Sequence, residues 1–175
     1  KSYVHIVSLT NLLMLSVEPL DCGFEKSEFA IINTPAKSEF NREHTISMRH
    51  KITGQHLKLR IHYPRNEGKA GIKLQVFSPY VILNKTNQSI RVSERGNIMH
   101  SNNSTLESSQ PCMFSFEKFG DRQNRALLKV GDSNWTSPLS LDAIGQNNAV
   151  TAQIPNKQMG MDVAVSIDEG AGRYI

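Results

Sequence analysis

The feature that most constrains this chain is an alternation of apolar and polar residues with period two, which recurs along its length. It is plain in Leu57-Lys-Leu-Arg-Ile-His-Tyr63, in Ile72-Lys-Leu-Gln-Val76 and in Val163-Ala-Val-Ser-Ile167. Successive side chains of a strand point to opposite faces, so such runs set one face on a core and the other in water. Val4 to Leu9, Phe29 to Ile32, Thr45 to Met48, Tyr80 to Leu83, Ser89 to Val92, Met113 to Phe116 and Ala126 to Val130 are further short runs rich in β-branched and aromatic residues. Turn formers separate them, among them Asp21-Cys-Gly23, Glu94-Arg-Gly-Asn97, Gly131-Asp-Ser-Asn134 and Pro155-Asn156. About ten strands at roughly even spacing predict an all-β chain of antiparallel β-sandwich sheets. No segment longer than about ten residues keeps a helical apolar period, and the one helix candidate is Leu139 to Ile144. His100 to Gln110 is polar and is expected to be a mobile surface loop.

Composition excludes two classes. With 38% hydrophobic, 21% charged and 7% aromatic residues, the chain can bury a core, which a disordered segment cannot. No stretch reaches the roughly 20 apolar residues that a membrane-crossing helix needs; Tyr3 to Val17 is interrupted by His5, Ser8, Thr10, Asn11 and Ser16. The chain opens at Lys1 without a leader pattern and is expected to be an excised fragment of a longer protein.

Catalytic and metal chemistry find little support. Cys22 and Cys112 are too few and too far apart for a disulfide scaffold or a paired-cysteine metal site, and are expected to be reduced thiols. His44, His50, His56 and His62 recur every six residues but lack carboxylate partners, so they are expected at surfaces and strand edges. No Gly-x-Ser-x-Gly elbow, activated-thiol signature or glycine-rich phosphate loop is present, and no catalytic residue, metal ligand or cofactor is assigned. The formal charge of +4 arises in residues 1–77, with 11 Lys/Arg against 7 Asp/Glu, while residues 78–175 balance at 9 against 9. The basic residues in His56 to Arg65, with Lys58, Arg60 and Arg65, alternate with Leu57, Leu59 and Ile61, as on the solvated face of a strand. Without interleaved aromatics they do not suit a nucleic acid, and a weak anionic lipid contact is the alternative use.

A pattern also repeats along the chain. The run Tyr3 to Val17 overlays Val76 to Ile90 when Asn11 is set on Asn84, an offset of 73 residues. Each Asn is followed by an apolar strand, a turn region, a Phe-containing strand and a closing alternating strand. Two units are therefore expected, residues 1–77 as a shorter first β repeat and residues 78–175 as a second.

Three strings carry a resemblance. Phe77-Ser-Pro-Tyr-Val-Ile-Leu-Asn-Lys-Thr86, Met113-Phe-Ser-Phe116 and Leu128-Lys-Val-Gly-Asp-Ser-Asn-Trp-Thr-Ser-Pro-Leu-Ser-Leu-Asp-Ala-Ile-Gly145 occur in order. Together they resemble a repeat of the adaptor-binding domain of the vacuolar protein sorting thirteen family, bridge-like proteins that move lipid between membranes. The resemblance implies a non-enzymatic module that binds short Pro-x-Pro motifs of organelle adaptor proteins, cytoplasmic and peripheral at membrane contact sites, with neighbouring repeats packed beside it. It also marks Asn84, Asn11, Tyr80, Thr86 and Trp135 as candidate peptide-binding or repeat-stabilising residues. A spacer repeat without a ligand of its own, or direct attachment to an anionic membrane surface, are the competing expectations. An extended peptide could add itself to an exposed sheet edge, and proline suits a strand in that position.

Overall fold

The structure, a computed structural model, describes residues 13–20, 22–33, 43–62, 74–95, 104–117, 124–142, 144–145 and 147–169. Among them all regular structure is β. The strands are β1 (Leu13–Leu15), β2 (Ala30–Asn33), β3 (Glu43–Arg49), β4 (His56–His62), β5 (Gln75–Phe77), β6 (Tyr80–Leu83) and β7 (Ile90–Glu94). They continue as β8 (Ser104–Leu106), β9 (Pro111–Phe114), β10 (Arg125–Val130), β11 (Leu139–Ser140), β12 (Asn147–Gln153) and β13 (Gly160–Ser166). Every pairing is antiparallel, in sheets ordered β1-β2, β3-β4-β5, β6-β9, β11-β10-β7-β8 and β12-β13.

Period two explains where the cores lie. In β4 the alternating Leu57, Leu59 and Ile61 are buried, and with Phe24, Ala30, Ile46 and Met48 they form a first apolar core. A second core gathers Ile90, Val92, Leu106, Phe114, Phe116, Ala126, Leu128, Val130, Leu139, Val150, Ala152 and Val163. Full burial of one such side chain stabilises by about 1.5–3 kcal/mol, so these inward faces fix the register of their strands. A one-residue slip would turn every one of them to water.

The two cores meet where β4 approaches β9. The Lys58 backbone N–H donates to Ser115 Oγ at 2.9 Å, and Gln55 Nε2 donates to Ser104 Oγ at 2.5 Å in a buried setting. Met113 of β9 packs against the first core. Because of this junction Lys58 and Arg60 are only partly exposed, and Lys58 Nζ donates to the Glu117 carbonyl. Of the expected solvated face, His56 is exposed and Lys58, Arg60 and His62 are partly exposed, opposite buried Leu57, Leu59 and Ile61, while β5 pairs along the edge of β4.

Two expectations are corrected. Leu139 to Ile144 is not a helix among its described residues, since Leu139 pairs with Ala126 in β11 and its side chain is buried. Residues 104–106 of the expected loop form β8, where Ser104 and Leu106 are buried and pair with Val92 and Ile90. Inward Leu106 was a single apolar anchor in a polar run, and one anchor suffices at a strand this short.

An internal correspondence emerges from the hydrogen bonds. Ser27 N–H donates to Val17 O at 2.8 Å, Ser27 Oγ accepts from Val17 N at 2.8 Å, and that hydroxyl donates to Glu28 O at 2.7 Å. Thr136 repeats all three with Leu128 and Ser137, at 2.8, 3.0 and 3.0 Å. Glu25 N–H meets Arg49 O at 2.8 Å as Asn134 N–H meets Gln153 O at 2.7 Å. The β3–β4 hairpin runs from the pair Glu43↔His62 to Arg49↔His56, and β12–β13 from Asn147↔Ser166 to Gln153↔Gly160, a constant offset of 104. Even the closing bonds agree, His50 N–H to Gln55 O at 2.8 Å and Ile154 N–H to Met159 O at 3.2 Å. The described residues from β1 to β4 thus have the build of β10 to β13.

Candidate functional site

The site is built around the end of β6. Asn84 follows Leu83 and is 2% exposed, unusual for an amide unless its polar atoms are paired. Its Nδ2 donates to Gln88 O at 2.7 Å and to Leu106 O at 2.9 Å. Its Oδ1 accepts from Thr86 N at 2.9 Å and Thr86 Oγ1 at 2.8 Å. A side-chain amide has two donors and two acceptor lone pairs, and all four are used here. Asn84 O accepts from Ser109 N at 2.8 Å, and Ser108 Oγ donates to Thr86 O at 2.7 Å. The Asn84 side chain therefore ties the turn after β6 to the end of β8, and the backbone oxygens of Asn84 and Thr86 tie in the β8–β9 connection.

Of the expected residues, the structure brings Asn84 and Thr86 into this one cluster. Tyr80 stands at the far end of β6, half-buried, its ring perpendicular to Phe116 at 5.3 Å and tilted against Phe114 at 6.4 Å. Tyr80 Oη hydrogen-bonds the Asp142 carboxylate. Burial first, then the Asp142 hydrogen bond and charge, hold its phenol above the ordinary tyrosine range, with Arg60 opposing. Trp135 is half-buried in a different turn, between β10 and β11, fixed by the backbone bonds of its neighbours Asn134 and Thr136. Asn11 lies outside the described residues, so the expected 73-residue offset to Asn84 concerns a residue the structure does not describe. The described hairpins follow an offset of 104, and the turn before them an offset of 109 set by Ser27 and Thr136, under which the counterpart of Trp135 is Lys26.

Sequence reasoning missed the outer face of β6. Tyr80 and Ile82 turn inward to the second core, while Val81 and Leu83 are 63% and 47% exposed. Across the ladder Val81 opposes Met113 and Leu83 opposes Pro111, so this side is apolar on both strands, and Met113 is partly covered by the first core. Among the described residues β6 has β9 as its one strand partner, which leaves its other edge open. The signal was present: Tyr-Val-Ile-Leu is a strand with no polar face, and a strand apolar on both sides has something to cover on both.

No nucleophile or metal centre is assembled among the described residues. Cys112 is half-buried, and burial pushes its thiol up against a lowering hydrogen bond from Ser104, the reverse of thiol activation. No group of three or more His, Cys, Asp or Glu able to hold a metal ion occurs among the described residues.

Comparison with known proteins bears on this geometry. The family model described as vacuolar-sorting associated protein 13, adaptor binding domain, matches residues 1–175. The chain is similar to the intermembrane lipid transfer protein VPS13 of Chaetomium thermophilum, 37% identical over 183 aligned residues that cover 98% of this chain and 6% of that protein. It is also similar to vps13E of Dictyostelium discoideum, 23% identical over 83% of this chain and 4% of that protein. With human VPS13C it shares 34% identity over 54% of this chain and 2% of that protein. The chain thus spans a small part of the length of these relatives.

Proposed function

The chain belongs to the adaptor-binding domain family of vacuolar-sorting associated protein 13, and on that premise we propose that it is a non-catalytic docking module for short Pro-x-Pro segments of adaptor proteins. In this reading it recruits a lipid transfer protein to membrane contact sites, as a peripheral module on the cytoplasmic side. The two units run over residues 1–77 and 78–175, and the second carries the peptide.

The observation that carries the reading is the outer edge of β6, unpaired among the described residues, beside exposed Val81 and Leu83. An extended segment laid along that edge would gain main-chain hydrogen bonds, and its alternate side chains would fall on this apolar strip. Proline, which has no N–H and a fixed φ, gives up little by ordering there and is tolerated where its nitrogen faces away from the ladder. Asn84 and Thr86 contribute by holding the end of β6 in place, since the Asn84 amide has no polar atom left over for a ligand. Tyr80 and Trp135 act as packing residues at the two ends of the second unit. Attachment to anionic lipid through Lys58, Arg60 and Arg65 is the less favoured reading, since Lys58 Nζ is engaged with the Glu117 carbonyl.

A fluorescence anisotropy titration with a labelled Pro-x-Pro adaptor peptide tests this. Saturable binding that falls at least tenfold in Val81→Asp/Leu83→Asp, with an unchanged melting temperature, supports it. Absence of binding in the wild type leaves a spacer repeat, and salt-sensitive pelleting with anionic liposomes instead would favour the lipid surface.

A further inference from the structure

The two units differ at one polar contact. In the first, Glu28 follows Ser27; its Oε1 accepts the Ser47 N–H at 3.2 Å, and its own N–H donates to Ser47 O at 3.4 Å. The edge of β3 turned away from β4 is thereby tied to the chain just before β2. The offset of 109 that sets Thr136 on Ser27 sets Ser137 on Glu28, and the offset of 104 sets Thr151 on Ser47. The second unit thus has a serine where the first has a carboxylate, and among the described residues no hydrogen bond joins Ser137 to Thr151. Thr151 is exposed where Ser47 is half-buried. Ser137 is exposed too: its carbonyl accepts from Thr136 Oγ1 at 3.0 Å, while among the described residues its hydroxyl has no partner.

We propose that Ser137 is a phosphorylation site for a proline-directed protein kinase, and that its phosphate takes the Thr151 N–H as the Glu28 carboxylate takes that of Ser47. The reach is the same, since a phosphoserine and a glutamate count equal numbers of bonds from Cα to the terminal oxygen. The direction is the same as well: Ser47↔Lys58 and Thr151↔Asp162 are equivalent pairs, so the Thr151 N–H faces the outer edge of β12. Asn134 N–H, donating to Gln153 O at 2.7 Å, already lays the β10–β11 connection along that edge. A phosphate carries about −1.5 to −2 charge and makes a charge-assisted bond to a backbone N–H. Asp162 opposes part of this gain; it stands where the first unit has Lys58 and accepts from the Thr151 hydroxyl at 2.7 Å. Accessibility selects Ser137 over the other described serine that precedes a proline. Ser78 is half-buried before Pro79, with its hydroxyl on Tyr80 O and Phe114 O, whereas Ser137 and Pro138 are both exposed in an irregular segment that runs from 133 to 138. Thr34, before Pro35, lies outside the described residues. In the transfer, Ser137 Oγ attacks the γ-phosphorus of a nucleoside triphosphate held by the kinase. The Oγ–P bond forms, the bond from that phosphorus to its bridging oxygen breaks, the nucleoside diphosphate leaves, and the hydroxyl proton passes to the kinase's carboxylate base.

Treating the full chain with a proline-directed kinase and a nucleoside triphosphate, then reading it by mass spectrometry and residue-resolved amide exchange, tests the proposal. Phosphate should enter at Ser137 in the folded protein, and Ser137→Ala should abolish it there. Exchange of the Thr151 N–H should slow by about tenfold in the phosphorylated protein, with Ser47 unchanged. Ser137→Glu, which copies the first unit, should slow Thr151 in the same direction without any kinase, and Glu28→Ser should speed Ser47. Phosphate that enters other residues while Ser137 stays unmodified would overturn the proposal. So would Thr151 exchange that is the same with and without the phosphate, or Ser47 exchange indifferent to Glu28→Ser.

Discussion

Asn84 Nδ2 donates to the carbonyl oxygen of Leu106, 22 residues further along the chain, at 2.9 Å in a buried setting. A single amide thus spans from the end of β6 to the end of β8, and it satisfies four backbone and hydroxyl groups at once. Asn84→Ala would leave the Gln88 and Leu106 carbonyls and the Thr86 N–H without this partner. The expected cost is about 2–4 kcal/mol of unfolding free energy, measured by urea denaturation. Asn84→Asp should cost at least as much, because a carboxylate in that place confronts two carbonyl oxygens. Loss of adaptor binding in either variant would follow from a displaced β6.

Ser27 and Thr136 make the same three hydrogen bonds in different parts of the chain, and both are buried. Removing the hydroxyl leaves a backbone N–H, of Val17 or Leu128, short of its acceptor. Ser27→Ala and Thr136→Val should therefore each destabilise by about 1–2 kcal/mol, read as a lowered denaturation midpoint. Because the two sites lie in separate cores, their effects should add in the double variant.

Much of the strand layout was legible because the inward faces announce themselves. Leu57, Leu59 and Ile61, or Val163 and Val165, alternate with polar residues and need no tertiary information to be read. β12 was not legible: Asn-Asn-Ala-Val-Thr-Ala-Gln offers only Val150 and Ala152 as its inward residues, and small or polar side chains carry little periodic signal. β11 was read as helix because two residues cannot display a period. The role of Asn84 in the turn was partly legible, since an amide after a strand is a plausible tie for unpaired backbone. Its complete saturation was not, because Leu106 lies in a run that looked like loop.

Tyr80 should retain its proton to higher pH than an ordinary tyrosine, whose value is near 10. The folded value is raised above the unfolded one, so this stability is fully present below about pH 10 and is lost as pH rises toward the folded value. A spectrophotometric titration should show one late-ionising phenol, and Tyr80→Phe should remove it. Simultaneous ionisation of all the tyrosines in the folded protein would refute the pairing of half-buried Tyr80 with Asp142.

Gly23 has φ of +75°, and a Cβ built on it would lie 2.4 Å from His50 Nε2. Gly145 has a similar φ of +77° but open space around it. Gly23→Ala should therefore cost more than Gly145→Ala, which bears only the backbone strain of about 1 kcal/mol. Thermal melts of the two variants side by side give the comparison, and equal losses would argue against the close approach of His50 to the Gly23 backbone.

The most direct test of the docking account is an amide NMR titration of the isotope-labelled protein with a Pro-x-Pro adaptor peptide. The account predicts that the largest shifts fall on Val81, Ile82 and Leu83 of β6, with smaller ones at Pro111-flanking Cys112 and Met113, and that the amides of β3 and β12 stay unmoved. Shifts centred on another surface while those of β6 remain unchanged would contradict it.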